Sequence, residues 1–318
     1  MVKRLIAAVR KADWEVYLLI GKTGSERKPA KVFEQFLFPY NSDSIHDVLD
    51  SVEPDIVVFT GLYDNTFDWS NPQKTSMEYL SGLVNLLNAC DDHKGLRFVY
   101  LSSQEVFSPI QGDVTEDMQP KPTQERGLLI EQGERLVIER RLTRKLETTI
   151  VRLDHPYATL ESANEYKDVF ECMCIDACAE RQITLHAPNQ RFSGINLNDV
   201  CEGLYRIMAA PHRLHRIYHL SCADTIGERE LAEKIAACSS DEVRIEEAAD
   251  ADFGEGSLHL LCENAKTEFG FHAWHSYDET VPLLYRHTQK HLGALKPDLK
   301  ALRAKRLPQI RKRMRDSF

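Results

Sequence analysis

The chain has 318 residues, of which 42% are apolar and 28% are charged. This length suffices for two lobes or one large α/β body, and the composition excludes disordered and fibrous proteins. The net charge is −9, and a basic tail of +7 from Lys296 follows a body of −16. Such an acidic body excludes nucleic acid as the main partner, because binding the phosphate backbone requires a basic surface.

The amino terminus and the cysteines indicate the compartment. The apolar run near residue 5 is too short and too close to charged residues for a secretory signal, and no stretch approaches the roughly 20 apolar residues of a membrane span. Eight cysteines are present without the regular spacing of a disulfide framework. We therefore expect a cytoplasmic protein with free thiols.

Short β-branched apolar runs alternate with segments of helical period, the order typical of parallel strands with crossover helices. Strands are predicted at residues 15–20, 55–60, 97–102, 148–153, 183–185 and 216–220. Helices are predicted at residues 2–11, 77–88, 123–143, 167–180, 197–208, 228–237 and 277–292, with a tail helix over 297–318 that breaks near Pro308. The sequence thus predicts a doubly wound α/β sheet followed by a substrate lobe.

Three segments of the first half carry a family resemblance. They read Pro-Asp-Ile-Val-Val-Phe-Thr-Gly-Leu (54–62), Gly-Leu-Val-Asn-Leu-Leu-Asn-Ala (82–89) and Phe-Val-Tyr-Leu-Ser-Ser-Gln-Glu-Val-Phe (98–107). Further matching segments follow in order at 115–117, 122–134, 150–157, 192–200, 218–221, 230–233 and 266–271. Together they resemble the extended short-chain dehydrogenases/reductases of the NAD-dependent nucleotide-sugar epimerase/dehydratase family, from residue 1 to about 290.

The resemblance implies a Rossmann-like doubly wound parallel sheet with a smaller C-terminal substrate lobe. It divides the chain into an NAD(P)-binding-type lobe (1–155), a mixed region contributing to the sheet and the substrate lobe (156–292) and the basic helical tail (293–318). Residues 2–11 and 14–20 match the family's first helix and second strand, so the first strand and the glycine-rich phosphate loop are missing. Either the true start lies upstream or the loop has been lost.

The family positions for the cofactor and the substrate can be assigned by residue. The resemblance places the NAD or NADP contacts at Thr60, Gly61, Leu62 and Ser102, although the missing loop and the lack of an acidic residue after the second strand argue against cofactor binding. It places the substrate contacts, for a nucleotide sugar or another small anion, at Gln104, His155 and Arg191. No metal site is expected.

The reaction centre departs from the family. The family uses a tyrosine as the base, and a lysine four residues later lowers the tyrosine pKa. These positions hold Arg126 and Ile130, which cannot do this chemistry. Ser103 and Glu105 match the family's Ser/Thr and its occasional glutamate base, and they are the catalytic candidates that remain. Instead of a catalytic role, Ser103 could simply be a polar residue at a strand end, and Glu105 a solvated carboxylate.

Two hypotheses for function follow. In the first, the protein is a catalytically degenerate pseudoenzyme that acts by binding a nucleotide, a nucleotide sugar or a partner. In the second, it is an active NAD(P)-dependent nucleotide-sugar epimerase, dehydratase or reductase that uses Ser103 and Glu105. The family also implies a homodimer.

Other patterns are weaker. Cys172, Cys174 and Cys178 are more typical of a packed helix than of a metal site, because residues two apart on a helix point in different directions. His287 and His291 lie one helical turn apart and could share a ligand, but an exposed helix surface is the simpler interpretation. The basic tail could bind an acidic partner or an anionic membrane surface, or it could dock on the acidic body.

Overall fold

Strands and helices alternate along the chain in the computed structural model, which describes residues 5, 14–21, 34–38, 44–61, 71–107, 112–158, 169–213, 215–252 and 257–305. The strands are β1 (Tyr17–Gly21), β2 (Glu34–Phe38), β3 (Ile56–Phe59), β4 (Arg97–Ser103), β5 (Gly112–Val114), β6 (Glu147–Leu153), β7 (His155–Tyr157), β8 (Gln182–Leu185), β9 (Arg191–Phe192), β10 (Gly194–Asn196), β11 (Ile217–Leu220), β12 (Ile226–Gly227), β13 (Arg244–Glu247) and β14 (Ser257–Leu260). The α-helices are α1 (Ser44–Val52), α2 (Pro72–Asp91), α3 (Glu125–Arg144), α4 (Val169–Glu180), α5 (Leu197–Ala209), α6 (Glu228–Ala236), α7 (Glu263–Phe269) and α8 (Tyr277–Lys305). A 3-10 turn spans Gln104–Phe107.

The central sheet has the strand order β11-β6-β4-β3, and every pair in it is parallel. Strands β1 and β2 form a second parallel pair. Residues of β4 and β6 are buried along almost the whole of each strand, as expected when helices cover both faces of a parallel sheet. The predicted α/β fold is therefore confirmed, and each predicted strand overlaps an observed one.

Helices cover the two faces of the central sheet and enclose a core on each. On one face, Leu83 and Leu87 of α2 pack with Leu129 and Val137 of α3 against strands β3, β4 and β6. On the other face, Leu204 of α5 and its neighbours pack with α7 against the same strands and β11. Burial on both faces explains why the central strands contain consecutive large apolar residues, such as Phe-Val-Tyr-Leu in β4, rather than a strict apolar–polar alternation.

A smaller lobe follows, built mainly from the second half of the chain. It contains the sheets β12-β9-β14-β5, β13-β8 and β10-β7. Helices α4, α6 and α8 pack together on a third core that includes Phe170, Leu231 and Leu284. Cys174 is buried in this core, which agrees with its predicted packing role. The second half of the chain thus has a hydrophobic core of its own, and its contact with a substrate stays a prediction.

Two helices differ in length from the prediction. Helix α2 begins five residues early, because Asn71 caps it by accepting a hydrogen bond from the Lys74 amide at 3.2 Å and Pro72 occupies the first turn. Helix α8 continues to Lys305, through the boundary expected at 292/293. The helix passes through Pro297, where the missing N–H leaves one helical hydrogen bond unmade. None of the described helices is long and apolar enough to cross a membrane.

Some sequence predictions fall outside the described residues. Of the helix expected at 2–11, only Leu5 is described, and it is helical and buried. The break expected near Pro308 lies beyond the last described residue. The absence of a first strand and of a glycine-rich loop stays a prediction, and so does the division into 1–155, 156–292 and 293–318.

Candidate functional site

Most of the predicted site residues follow the carboxyl ends of neighbouring parallel strands. Thr60 and Gly61 come directly after β3, Ser102 and Ser103 end β4, and His155 lies just beyond β6. Carboxyl ends of parallel strands share one edge of the sheet, and open α/β sheets bind their ligands at that edge. The fold therefore brings these residues to the edge where a ligand is expected.

A buried ion pair lies beneath this edge. Arg152 of β6 donates from Nε and Nη2 to the two carboxylate oxygens of Glu134 on α3, at 2.9 and 2.8 Å. Ser102 donates its hydroxyl to the same carboxylate at 2.5 Å. Through the Glu134 carboxylate, Ser102 at the end of β4 is therefore linked to α3 and to Arg152 of β6.

Arg152 is surrounded by further buried groups. Its guanidinium carbon lies 4.8 Å from the centre of the Phe107 ring, and its Nη1 is 3.5 Å from Nε2 of His219. The His219 Nδ1 is 3.0 Å from the Leu261 carbonyl oxygen, so Nδ1 carries the proton and Nε2 faces the cation. Burial, and then the charge of Arg152, lower the pKa of His219 to about 3.

Glu105 and Arg126 form an ion pair at the rim of the site. The Arg126 Nε lies 3.4 Å from Oε1 of Glu105, and the two side chains are 14% and 17% exposed. The Glu105 amide donates to the Ser103 hydroxyl oxygen at 3.2 Å. The structure thus brings together Ser103, Glu105 and Arg126, three residues that the sequence had singled out.

Two glycines of α3 let the helix approach this turn closely. A Cβ added at Gly127 would lie 2.3 Å from the Glu105 carbonyl oxygen, and one added at Gly133 would lie 2.2 Å from the Tyr100 hydroxyl. Real side chains do not tolerate such distances. Glycine at both positions therefore sets α3 against β4 and its following turn, which places Arg126 beside Glu105.

Ile130 lies in an apolar part of α3. It is 2% exposed and belongs to the core cluster that includes Phe59 and Tyr100. Its carbonyl accepts the Tyr100 hydroxyl at 3.0 Å, and the Tyr79 hydroxyl contacts that of Tyr100. Burial raises the pKa of Tyr79. A tyrosine with a raised pKa is poorly suited to act as a phenolate base.

Gly61 is covered by aromatic side chains rather than open to a ligand. A Cβ placed there would lie 2.8 Å from ring carbons of both Phe59 and Tyr79. Its φ of +36° is a backbone conformation that favours glycine. The Gly61 Cα therefore faces aromatic rings, and Thr60 beside it is half-buried. Leu62 lies outside the described residues.

The three predicted substrate residues have different surroundings. Gln104 is 4% exposed, and its Oε1 has no hydrogen-bond donor within the described part of the chain. The His155 amide donates to Asp154 at 2.9 Å, while its ring is half-buried. Arg191 binds the Thr225 carbonyl at 2.7 Å and pairs with Glu230 at 3.4 Å. Arg191 thus already has protein partners, whereas the Gln104 oxygen has none among the described residues.

Sequence reasoning missed the contacts that hold this edge together. It gave no pairing to Arg152 and no role to Glu134, His219 or Tyr79. One signal was available, because an arginine in the middle of the apolar strand Thr-Thr-Ile-Val-Arg-Leu requires a buried anionic partner. Nothing in the sequence identified that partner as Glu134.

The family model described as "NAD dependent epimerase/dehydratase family" matches residues 3–221. No curated protein sequence matches the chain.

Solved structures with the same fold cover nearly the whole chain. UDP-glucose 4-epimerase of Thermotoga maritima, solved with UDP-glucose, is 12% identical with a TM-score of 0.77 over 91% of this chain and 96% of its own. UDP-glucose 4-epimerase of Thermus thermophilus, solved with NAD, is 15% identical with a TM-score of 0.74 over 90% and 94%. UDP-glucuronic acid 4-epimerase of Bacillus cereus, solved with UDP-glucuronic acid and NAD, is 15% identical with a TM-score of 0.71 over 91% and 95%. At these identities the likeness shows the fold alone.

Proposed function

Because the chain belongs to the NAD dependent epimerase/dehydratase family, we propose that it binds a nucleotide sugar at the carboxyl edge of the sheet without the family's usual catalysis. One observation carries this proposal: the positions that match the family's tyrosine and lysine hold Arg126, paired with Glu105, and Ile130, buried in the core. The protein then acts as a pseudoenzyme, through its ligand or through a partner.

The two substitutions remove proton transfer for different reasons. A guanidinium stays protonated at neutral pH, so Arg126 cannot accept a proton from a ligand hydroxyl. Ile130 offers only hydrocarbon, and its surroundings are aromatic and aliphatic side chains. Positions 126 and 130 therefore supply neither the tyrosine base of the family nor the lysine that lowers its pKa.

The residues at the expected cofactor positions do not fit a dinucleotide. Phe59 and Tyr79 cover Gly61, and the hydroxyl of Ser102 is bound to Glu134. Ile130 supplies no polar group for a ribose. We therefore propose that NAD and NADP bind weakly or not at all.

The second candidate is an active NAD(P)-dependent epimerase, dehydratase or reductase that uses Ser103 and Glu105. The partial exposure of the Glu105 carboxylate favours it, because a base must reach its substrate. In that case Arg126 would hold the carboxylate in place. Without the tyrosine–lysine pair, the chemistry would differ from that of the family.

Calorimetric titration tests the first proposal against the second. The purified chain is titrated with NAD, NADP, UDP-glucose, UDP-glucuronic acid and dTDP-glucose, and absorbance at about 340 nm follows any reduced cofactor. We expect binding of a nucleotide sugar without cofactor and without turnover. Micromolar binding of NAD or NADP together with turnover would overturn the pseudoenzyme and favour the active enzyme.

Three further expectations belong with this proposal. We propose a homodimer, a cytoplasmic location and a basic tail that binds an acidic protein or an anionic membrane surface. The tail proposal is supported by nine Lys/Arg residues after residue 295 and by the continuation of α8 to Lys305. Deletion of residues 296–318 tests it, since unchanged localisation and partners would leave the tail without a binding role.

A further inference from the structure

The rim of the site combines a cation and an anion within reach of a ligand. Arg126 and Glu105 are 3.4 Å apart and both partly exposed, in the first turn of α3 and in the turn that follows β4. The helix is held there by Gly127, which packs against the Glu105 carbonyl. A ligand at the carboxyl end of β4 therefore meets a fixed guanidinium.

An unsatisfied acceptor lies next to this ion pair in sequence. Gln104 Oε1 is buried and has no donor among the described residues. A buried acceptor without a partner is destabilising, so a ligand that brings a hydroxyl or amide donor would remove that penalty. Ser103 accepts from the Glu105 amide, and its own O–H remains able to donate. The turn thus offers an acceptor and a donor besides the ion pair.

Resting on the proposed function, we infer that Arg126 is a specificity-determining residue that binds an oxyanion of the ligand, with Gln104 accepting a hydrogen bond from a neighbouring hydroxyl. The oxyanion belongs either to the diphosphate or to a carboxylate on the sugar. A planar guanidinium has five N–H donors, so it can contact Glu105 and hold an oxyanion at the same time.

Glu105 has the opposite effect in this arrangement. Its carboxylate neutralises part of the Arg126 charge and repels a second anion at the same position. Removing the Glu105 charge should therefore tighten the binding of an anionic ligand, whereas removing the Arg126 charge should weaken it. A merely structural ion pair predicts instead that both substitutions act in the same direction.

Calorimetry on four forms of the full chain tests the inference. They are the natural protein, Arg126→Gln, Glu105→Gln and the control Arg135→Gln, which lies on the same helix, is 75% exposed and pairs with Glu131. Each is titrated with UDP-glucose and UDP-glucuronic acid. We expect Arg126→Gln to weaken binding roughly ten- to hundredfold, Glu105→Gln to tighten it about two- to fivefold and the control to change neither.

The two ligands separate the sources of the oxyanion. If Arg126→Gln weakens only UDP-glucuronic acid, the oxyanion is the sugar carboxylate, and if it weakens both ligands equally, it is the diphosphate. Binding of both ligands that is unaffected by Arg126→Gln, or weakened alike by both site variants, overturns the inference and leaves the proposed function intact. Failure of the natural protein to bind either ligand, with circular dichroism showing a folded chain, overturns both.

Discussion

The buried histidine beside Arg152 predicts a measurable pH dependence of folding. His219 has an ordinary pKa of 6.5, which burial and the charge of Arg152 lower to about 3. In the unfolded chain the imidazole binds a proton below pH 6.5, but in the folded protein only near pH 3. Lowering the pH through this window therefore favours the unfolded state. The full depression corresponds to about 5 kcal/mol, or about 1.4 kcal/mol per pH unit.

Urea denaturation between pH 7.5 and pH 4.5 measures this dependence in the natural protein and in His219→Gln. Glutamine can still donate to the Leu261 carbonyl but does not titrate. Burial also raises the pKa of Glu116, whose effect on stability has the opposite sign, but it is common to both proteins and cancels in the difference. We expect the natural protein to lose about 2–3 kcal/mol more than the variant between pH 6.5 and pH 4.5.

The matched control is His212→Gln, which removes an exposed histidine near β11. Its stability should fall with pH as in the natural protein. If His219→Gln shows the same pH slope as the natural protein, His219 takes up its proton in the folded state without cost. The account of Arg152 and burial would then be wrong.

Two further substitutions test the packing of α3. Gly133→Ala would place a Cβ 2.2 Å from the Tyr100 hydroxyl, so we expect the free energy of unfolding, measured by urea denaturation, to fall by about 2–3 kcal/mol. Addition of Tyr100→Phe, which removes that hydroxyl, should restore part of the loss. A neutral effect of Gly133→Ala alone would contradict the close approach. Lys145, at the C-terminal end of α3, has a φ of +62°, a left-handed conformation that glycine adopts more easily than lysine. Lys145→Gly should therefore raise the free energy of unfolding by about 1 kcal/mol in the same assay. A lower free energy of unfolding would show that the lysine is not strained there.

The main strands and helices could be predicted because the apolar residues of their sequence patterns are the residues that the fold buries. Strand β4 contains the apolar run Phe-Val-Tyr-Leu, β6 contains Thr-Thr-Ile-Val, which is β-branched throughout, and α5 has apolar residues at helical spacing. Helices α1 and α7 and eight of the described strands were missed, because helices of nine and seven residues and strands of two to five residues carry too little pattern. The missed strands are β2, β5, β7, β9, β10, β12, β13 and β14. The early start of α2 was readable from Asn71-Pro72, a recognised capping sequence.

The sequence predicted which residues lie near one another at the candidate site, but not which side chains contact each other. Motif matching indicated that Ser103, Glu105 and Arg126 belong to one region, and the structure places them together. The pairing of Arg152 with Glu134 depends on how α3 lies against β6, since the two residues are 18 positions apart in sequence. A pattern within one segment cannot supply that geometry.

The buried network, and the residues at positions 126 and 130, support our proposal of ligand binding without the family's usual catalysis. Burial of an ion pair costs desolvation energy that can exceed its attraction, so we interpret the Arg152–Glu134 pair by its geometry: with Ser102 it links β4, β6 and α3. A rigid arrangement of these strand ends can bind a ligand whether or not that ligand then reacts. Proton transfer needs in addition a group with a pKa near neutrality, and Arg126 and Ile130 provide none. These features support our proposal that the chain holds a ligand at this edge without the family's usual catalytic residues.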